Sequence, residues 1–204
     1  AKPDVDYIME EFVAGQIVSF DGLADRDGEL AFYTAHCYSH GVMETVNDDG
    51  LIHYWSLREV PADLEAAGRA VARAFAVRER FFHFEFFRTR EGKIVALEVN
   101  IRPPGGLTTD MFNYANDIDI YAEWAHIIVH NRFTADYSRP YHCCYIGRKF
   151  NRSYAHTHEL VLSNFPRQLC DHQHISGVFS AALGDYGYLV RSPELDEILE
   201  IARY

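Results

Sequence analysis

Residues 81–102 read FFHFEFFRTREGKIVALEVNIR, two β-rich runs either side of Glu91-Gly92. A short pair of this kind between alternating runs is a hairpin signal. With Glu91 and Gly92 as the loop, Arg90 faces Lys93, and the pairing fixes which side chains share a face. One face then carries Phe82, Phe84 and Phe86 opposite Ile101, Val99 and Leu97, an apolar set expected to pack on the core. The other carries Phe81, His83, Glu85 and Phe87 opposite Arg102, Asn100, Glu98 and Ala96. Glu85 falls directly across from Glu98.

Carboxylates opposed on neighbouring strands sit about 5 Å apart at Cβ and destabilise the pair. A shared proton or a divalent cation relieves that repulsion. Asn100 adds a neutral oxygen on the same face, and two carboxylates with an amide are hard ligands suited to Mg²⁺. The plain alternative is two solvated glutamates on an exposed hairpin. Arg102 on the same face favours an anion site that contains metal.

The 204 residues suffice for one large domain or two small ones. An apolar content of 48% with 14% aromatics describes a folded chain. The net charge of −11 argues against nucleic acid and anionic membranes as partners. It leaves ATP open, because Mg²⁺ bridges acidic side chains to phosphates. No apolar run is long enough for a membrane span. Cys37, Cys143, Cys144 and Cys170 lack CxxC spacing, which fits reduced, buried thiols in a cytoplasmic protein.

Outward from the hairpin, the patterns predict strands over 17–25 and 29–38 around Asp27-Gly28, and a second pair over 42–46 and 51–55. His36 and His40 then fall at a strand end or loop tip, where they either touch nucleotide or substrate or do neither. Pro61 opens a helix over 61–80 with Leu64, Ala67, Val71, Ala74 and Phe75 on its apolar stripe. After Arg102, the stretch PPGGLTT is a loop that either offers N–H groups to an anion or simply connects. A helix over 119–130 is expected to bury Tyr121, Trp124, Ala125, Ile128 and Val129. Beyond a boundary at 131–140 come a strand over 141–149 and a helical or mixed stretch over 153–162. A hairpin over 178–183 and 188–190 follows, then a final helix over 194–202 capped by Ser192. His142, His156, His158, His172 and His174 read as surface or packing residues rather than zinc ligands.

This order resembles the ATP-grasp superfamily, whose enzymes use ATP to activate a carboxylate as an acyl phosphate. The residues that carry the resemblance are Met9-Glu-Glu-Phe-Val13, then Glu85, then Glu98-Val-Asn-Ile-Arg102. It covers roughly residues 5–130. The implied fold is α+β: an antiparallel β-sheet with helices packed on one face, the second lobe of an ATP-grasp fold. Residues 1–135 would form that lobe, and 136–204 a small C-terminal α+β extension that closes as a lid or extends the sheet.

The resemblance also implies roles. Glu10, Glu11, Phe12 and Val13 would form the adenine hinge, with Glu85, Glu98 and Asn100 as ligands of Mg²⁺, or Mn²⁺ in its place. Arg102 would neutralise the transferring phosphate, and Phe87 would lie against the nucleotide. His83 stands where some branches place an arginine that touches the intermediate. Ile17 occupies the position at which members usually hold the ribose with a glutamate, leaving Gln16 as the nearest polar substitute.

The first lobe and N-terminal domain of the family have no counterpart before the hinge. The chain is therefore expected to be the C-terminal portion of a longer or split protein, with its missing lobe supplied in cis or in trans. Alone it would bind ATP weakly and turn nothing over. The implied activity of the whole is ligation of a small carboxylate to an amine or similar nucleophile; homodimerisation stays open. The competing reading is a non-catalytic nucleotide-sensing or assembly module.

Overall fold

The computed structural model describes residues 6–204, the side chains of 42–44 excepted. The strands in chain order are β1 (Gly15–Ala24), β2 (Leu30–Tyr38), β3 (His53–Ser56), β4 (Arg80–Thr89), β5 (Ile94–Asn100), β6 (His142–Arg148), β7 (Leu169–His174) and β8 (Tyr186–Ser192). They form one antiparallel sheet in the order β5-β4-β1-β2-β3-β6-β8-β7. The strands after residue 140 thus extend the sheet that the first hairpins begin.

The helices divide between its two faces. On one, α2 (Ala62–Ala74) sets Leu64 and Ala72 against Phe20, Phe82, Phe84 and Phe86. Farther along the same face, α7 (Leu195–Arg203) sets Ile198 and Ile201 against Cys144 and Val190. The opposite face is covered by α3 (Thr108–Asn116), α4 (Ile120–His130) and the short α6 (Ser180–Leu183). There Phe112, Ile120 and Ile127 meet Leu23, Phe32 and Phe81, while Met111 and Leu183 meet Tyr54, Tyr145 and Leu189. The remaining helices are α1 (Val42–Asn47) and α5 (His158–Asn164).

The central hairpin forms with Glu85 opposite Glu98 and His83 opposite Asn100. Its turn is one residue longer than expected. Thr89 N donates to Lys93 O, and Gly92 takes φ +80°, a left-handed conformation suited to glycine. The register near the turn is therefore offset by one residue. A bulge at Leu97 restores it between Phe86↔Ala96 and Glu85↔Glu98. Leu97, expected on the core face, is consequently exposed.

Several elements differ from the sequence expectation. Residues 42–46 are helical in α1, whose end closes with Gly50 N donating to Thr45 O and Asp49 at φ 49°. That terminator outweighs the strand preference of the β-branched residues. The helix α2 stops at Ala74, and Ala76 and Glu79 both take positive φ before β4 begins. Its buried line is Leu64, Gly68 and Ala72, while Phe75 is exposed. Gly68 lies so near Phe20 that an added Cβ would fall 2.1 Å from the ring.

The start of α4 beside Asp119 is as expected, and the Asp119 side chain caps it by accepting from Tyr121 N and Ala122 N. Its inner line, however, is Ile120, Glu123 and Ile127; Tyr121, Trp124, Ala125, Ile128 and Val129 face outward. The buried Glu123 accepts from Thr134 N and Oγ1, which turns this face inward. Residues 180–183 are helical, and β8 pairs instead with β6 and with the unanticipated strand β7. Ser192 ends β8 and accepts from Glu194 N at 3.1 Å, while Glu194 stands at the start of α7.

Candidate functional site

The face of the sheet covered by α3 and α4 carries a polar track where apolar residues would ordinarily sit. Alternation along β1 puts Ser19 and Asp21 on it, and pairing adds His36 and Thr34 from β2 with Glu85 and His83 from β4. Ser19, Asp21 and His36 have no exposed surface. Ser19 Oγ donates to Asp21 Oδ2 at 2.5 Å, and His36 Nδ1 donates to the same oxygen at 2.8 Å. His83 Nδ1 hydrogen-bonds the other carboxylate oxygen, Oδ1. The ring's far nitrogen, Nε2, lies 3.1 Å from Glu85 Oε1.

These contacts set the charges. Burial works against a charged His83, but the adjacent Asp21 carboxylate and the hydrogen bonds to Asp21 and Glu85 outweigh it. They lift the ring to about 10. Burial likewise pushes Asp21 up, and the opposing pull of His83 and His36 holds it far below the usual carboxylate range. Asp21 and His83 are thus a buried ion pair that orients Glu85 from beneath.

Glu85 stands at the outer end of this track, its side chain 13% exposed. Glu98 faces it on β5, is exposed, and takes part in no ion pair among the described residues. Glu85 is therefore partly compensated by His83, while Glu98 has no cationic partner of its own. Asn100 sits opposite His83, and its buried Nδ2 has no hydrogen-bond partner among the described residues. Turning the amide over would present Oδ1 there, an acceptor that a hard cation satisfies. Among the described residues no three His, Cys, Asp or Glu side chains converge as a metal nest. A cation here would rest on two carboxylates and an amide, with water and phosphate completing its shell, as suits Mg²⁺.

Of the other expected residues, Phe87, half-buried, stands across from Ile17 on the face of Glu85, whereas Gln16, across from Arg88, lies on the opposite face, where Arg88 pairs with Asp63 of α2. Gln16 Nε2 donates to Tyr38 O at 3.5 Å. Glu10, Glu11 and Phe12 are exposed in an extended segment without regular structure that enters the sheet at Gly15 beside Thr89; Val13 is partly covered. Among the described residues no hydrogen bond joins residues 10–13 to Glu85, Glu98 or Asn100. Arg102, just past β5, is exposed and donates to Pro103 O at 2.8 Å. The loop after it leads directly into α3, where Thr108 Oγ1 donates to Gly105 O at 2.9 Å.

His36 is a fully buried strand residue stacked near Phe112, not a loop-tip group. Asp21 was not singled out from sequence. Its signal is polar alternation: Ser19, Asp21 and Thr34 interrupt otherwise apolar strands on a face that must be covered. The four cysteines are free thiols, Cys143 and Cys144 buried and Cys37 and Cys170 partly so. No helix among the described residues is long and apolar enough to cross a membrane.

Residues 3–110 match the ATP-grasp domain family, and the chain belongs to that family. Solved structures of the same fold cover nearly all of it. The phosphoribosylaminoimidazole carboxylase ATPase subunit from Aquifex aeolicus aligns with a TM-score of 0.71 at 14% identity, over 96% of this chain and 56% of that one. The L-amino acid ligase from Bacillus licheniformis aligns with a TM-score of 0.71 at 13% identity, over 94% and 52%. The biotin carboxylase domain of the Hydrogenobacter thermophilus 2-oxoglutarate carboxylase, solved with MgADP and bicarbonate, gives 0.57 at 15%, over 87% and 42%. The chain thus spans about half the length of the structures it matches. Comparison with curated proteins finds no match in sequence.

Proposed function

We propose that this chain is the metal- and phosphate-bearing lobe of an ATP-dependent ligase. The whole enzyme would activate a small carboxylate as an acyl phosphate and pass it to an amine or similar nucleophile. The observation that carries this reading is the pairing of Glu85 with Glu98, in a chain of the ATP-grasp family.

In this reading Glu85, Glu98 and Asn100 hold Mg²⁺ or Mn²⁺, which supplies charge neutralisation and polarisation of the phosphate oxygens. Asp21 and His83 fix the Glu85 carboxylate so that its orientation is set before nucleotide arrives. His83 then acts through Glu85, because both its ring nitrogens are engaged by carboxylates. Arg102, exposed at the strand end, swings from Pro103 O to the γ-phosphate and its acceptor oxygen. Residues 10–13 lie along the adenine, and Phe87 beside Ile17 gives the nucleotide an apolar wall.

Productive binding needs a first lobe, in cis or in trans, that closes over the triphosphate. Without it the chain holds ATP weakly and releases no phosphate. Phosphate release by the full-length protein, assayed with Mg-ATP and pooled amino acids, tests the proposal. Wild type should release phosphate and Glu98→Gln should not. Silence of wild type with every pool would favour a nucleotide-sensing or assembly module.

A further inference from the structure

On the opposite face of the sheet from Glu85, with three strands between, a cavity of about 450 Å³ opens beside β6, β7 and β8. That volume lies within the usual range of small-molecule sites. The end of β6 and the loop after it contribute three cations, Arg148, Lys149 and Arg152, in a chain whose net charge is −11. Asp49 pairs with Lys149 at 2.6 Å and with Arg152 at 3.3 Å, and Asp185 accepts from Phe150 N at 2.8 Å. The basic surplus is therefore smaller than three charges and is centred on Arg148.

Arg148 is held ready rather than spent. Its guanidinium lies 4.4 Å from the Tyr154 ring centroid and 5.7 Å from that of Tyr188. Its one hydrogen bond runs from Nη1 to His156 O at 3.0 Å, so most of its donors have no partner among the described residues. The walls are rings. Tyr186 and Tyr188 lie 5.3 Å apart, with their hydroxyls 2.7 Å from His172 Nδ1 and His158 Nδ1 respectively. His174 packs edge-on to Tyr186 at 4.9 Å, and Phe150, 66% exposed, stands at 5.7 Å from His174. The hydroxyl–imidazole bonds fix the tyrosine rings, so the aromatic wall is set in place before any ligand enters.

We propose that this cavity binds a small aromatic anion, the ring against Phe150, Tyr186 and His174 and its phosphate or carboxylate on Arg148. A fixed guanidinium with free donors recognises planar or tetrahedral oxyanions, and rings with exposed edges and faces accept a flat partner. The site is separate from the one read above: its residues lie on the other face and include none of the nucleotide residues.

The test follows histidine ring signals of the full-length protein by NMR during titration with phenyl phosphate, benzoate, inorganic phosphate and uncharged benzyl alcohol. The expected result is a saturable shift of His158 and His174 with one or both ring-bearing anions. Which of them is tighter identifies the oxyanion. Inorganic phosphate and benzyl alcohol should each bind about tenfold more weakly. Arg148→Gln should weaken binding about tenfold, and the exposed-site variant Phe150→Ala about threefold. Glu98→Gln, on the opposite face, should leave the titration unchanged. The proposal is overturned if the ring-bearing anions cause no saturable shift, bind no tighter than inorganic phosphate, bind Arg148→Gln and Phe150→Ala as well as wild type, or lose their affinity in Glu98→Gln.

Discussion

Asp21 faces His83 across the β1–β4 pairing, and the ring joins the buried aspartate to Glu85 at the surface. A carboxylate with no exposed surface is costly unless paired, so removing either partner strands the other. Asp21→Asn should lower unfolding free energy by about 3–5 kcal/mol. Urea denaturation of wild type and variant measures this; a loss under about 1 kcal/mol would show the pair to be dispensable.

The same pair makes stability depend on pH in a stated direction. His83 titrates at about 10 in the fold and near 6.5 when unfolded. Its stabilising contribution is therefore complete below about 6.5 and lost as pH rises towards 10. Asp21 is depressed, so its contribution is present above its unfolded value and disappears on acidification. Urea midpoints of the unliganded protein should fall between pH 7 and pH 10, and His83→Gln should flatten that fall.

Leu97 tests the bulge. Because the register shift turns it outward, Leu97→Asp should change stability by no more than about 0.5–1 kcal/mol. Val99→Asp, on the face packed against α2, should cost several times more. Equal costs would mean that Leu97 is inside and the hairpin regular.

At Gly68, the ring of Phe20 occupies the space of any side chain. Gly68→Val should destabilise the protein by about 1–3 kcal/mol through overpacking, although valine fills helices better than glycine. A thermal melt decides between the two effects.

Strand alternation and turn residues made the opposition of Glu85 and Glu98 legible, because a hairpin is a local structure whose pairing follows from its own sequence. The bulge at Leu97 was not legible: it compensates a three-residue turn, and the two deviations cancel before Glu98. The outward turn of Tyr121, Trp124 and Ile128 also escaped, since the helix buries Glu123 in exchange for bonds from Thr134, eleven residues on. Partners this distant leave no periodic trace. Asp21 lay in plain view as an acid inside an apolar strand. Its meaning needs His36 and His83, which only the sheet brings together.

In the proposed site Glu85 and Glu98 share one divalent ion that grips a triphosphate. Electron paramagnetic resonance of Mn²⁺, titrated with ATP into the full-length protein, reads that ion directly. A bound Mn²⁺–nucleotide signal is expected in wild type, with at least about a tenfold loss of affinity in both Glu85→Gln and Glu98→Gln. Undiminished binding in Glu98→Gln would contradict the shared ion.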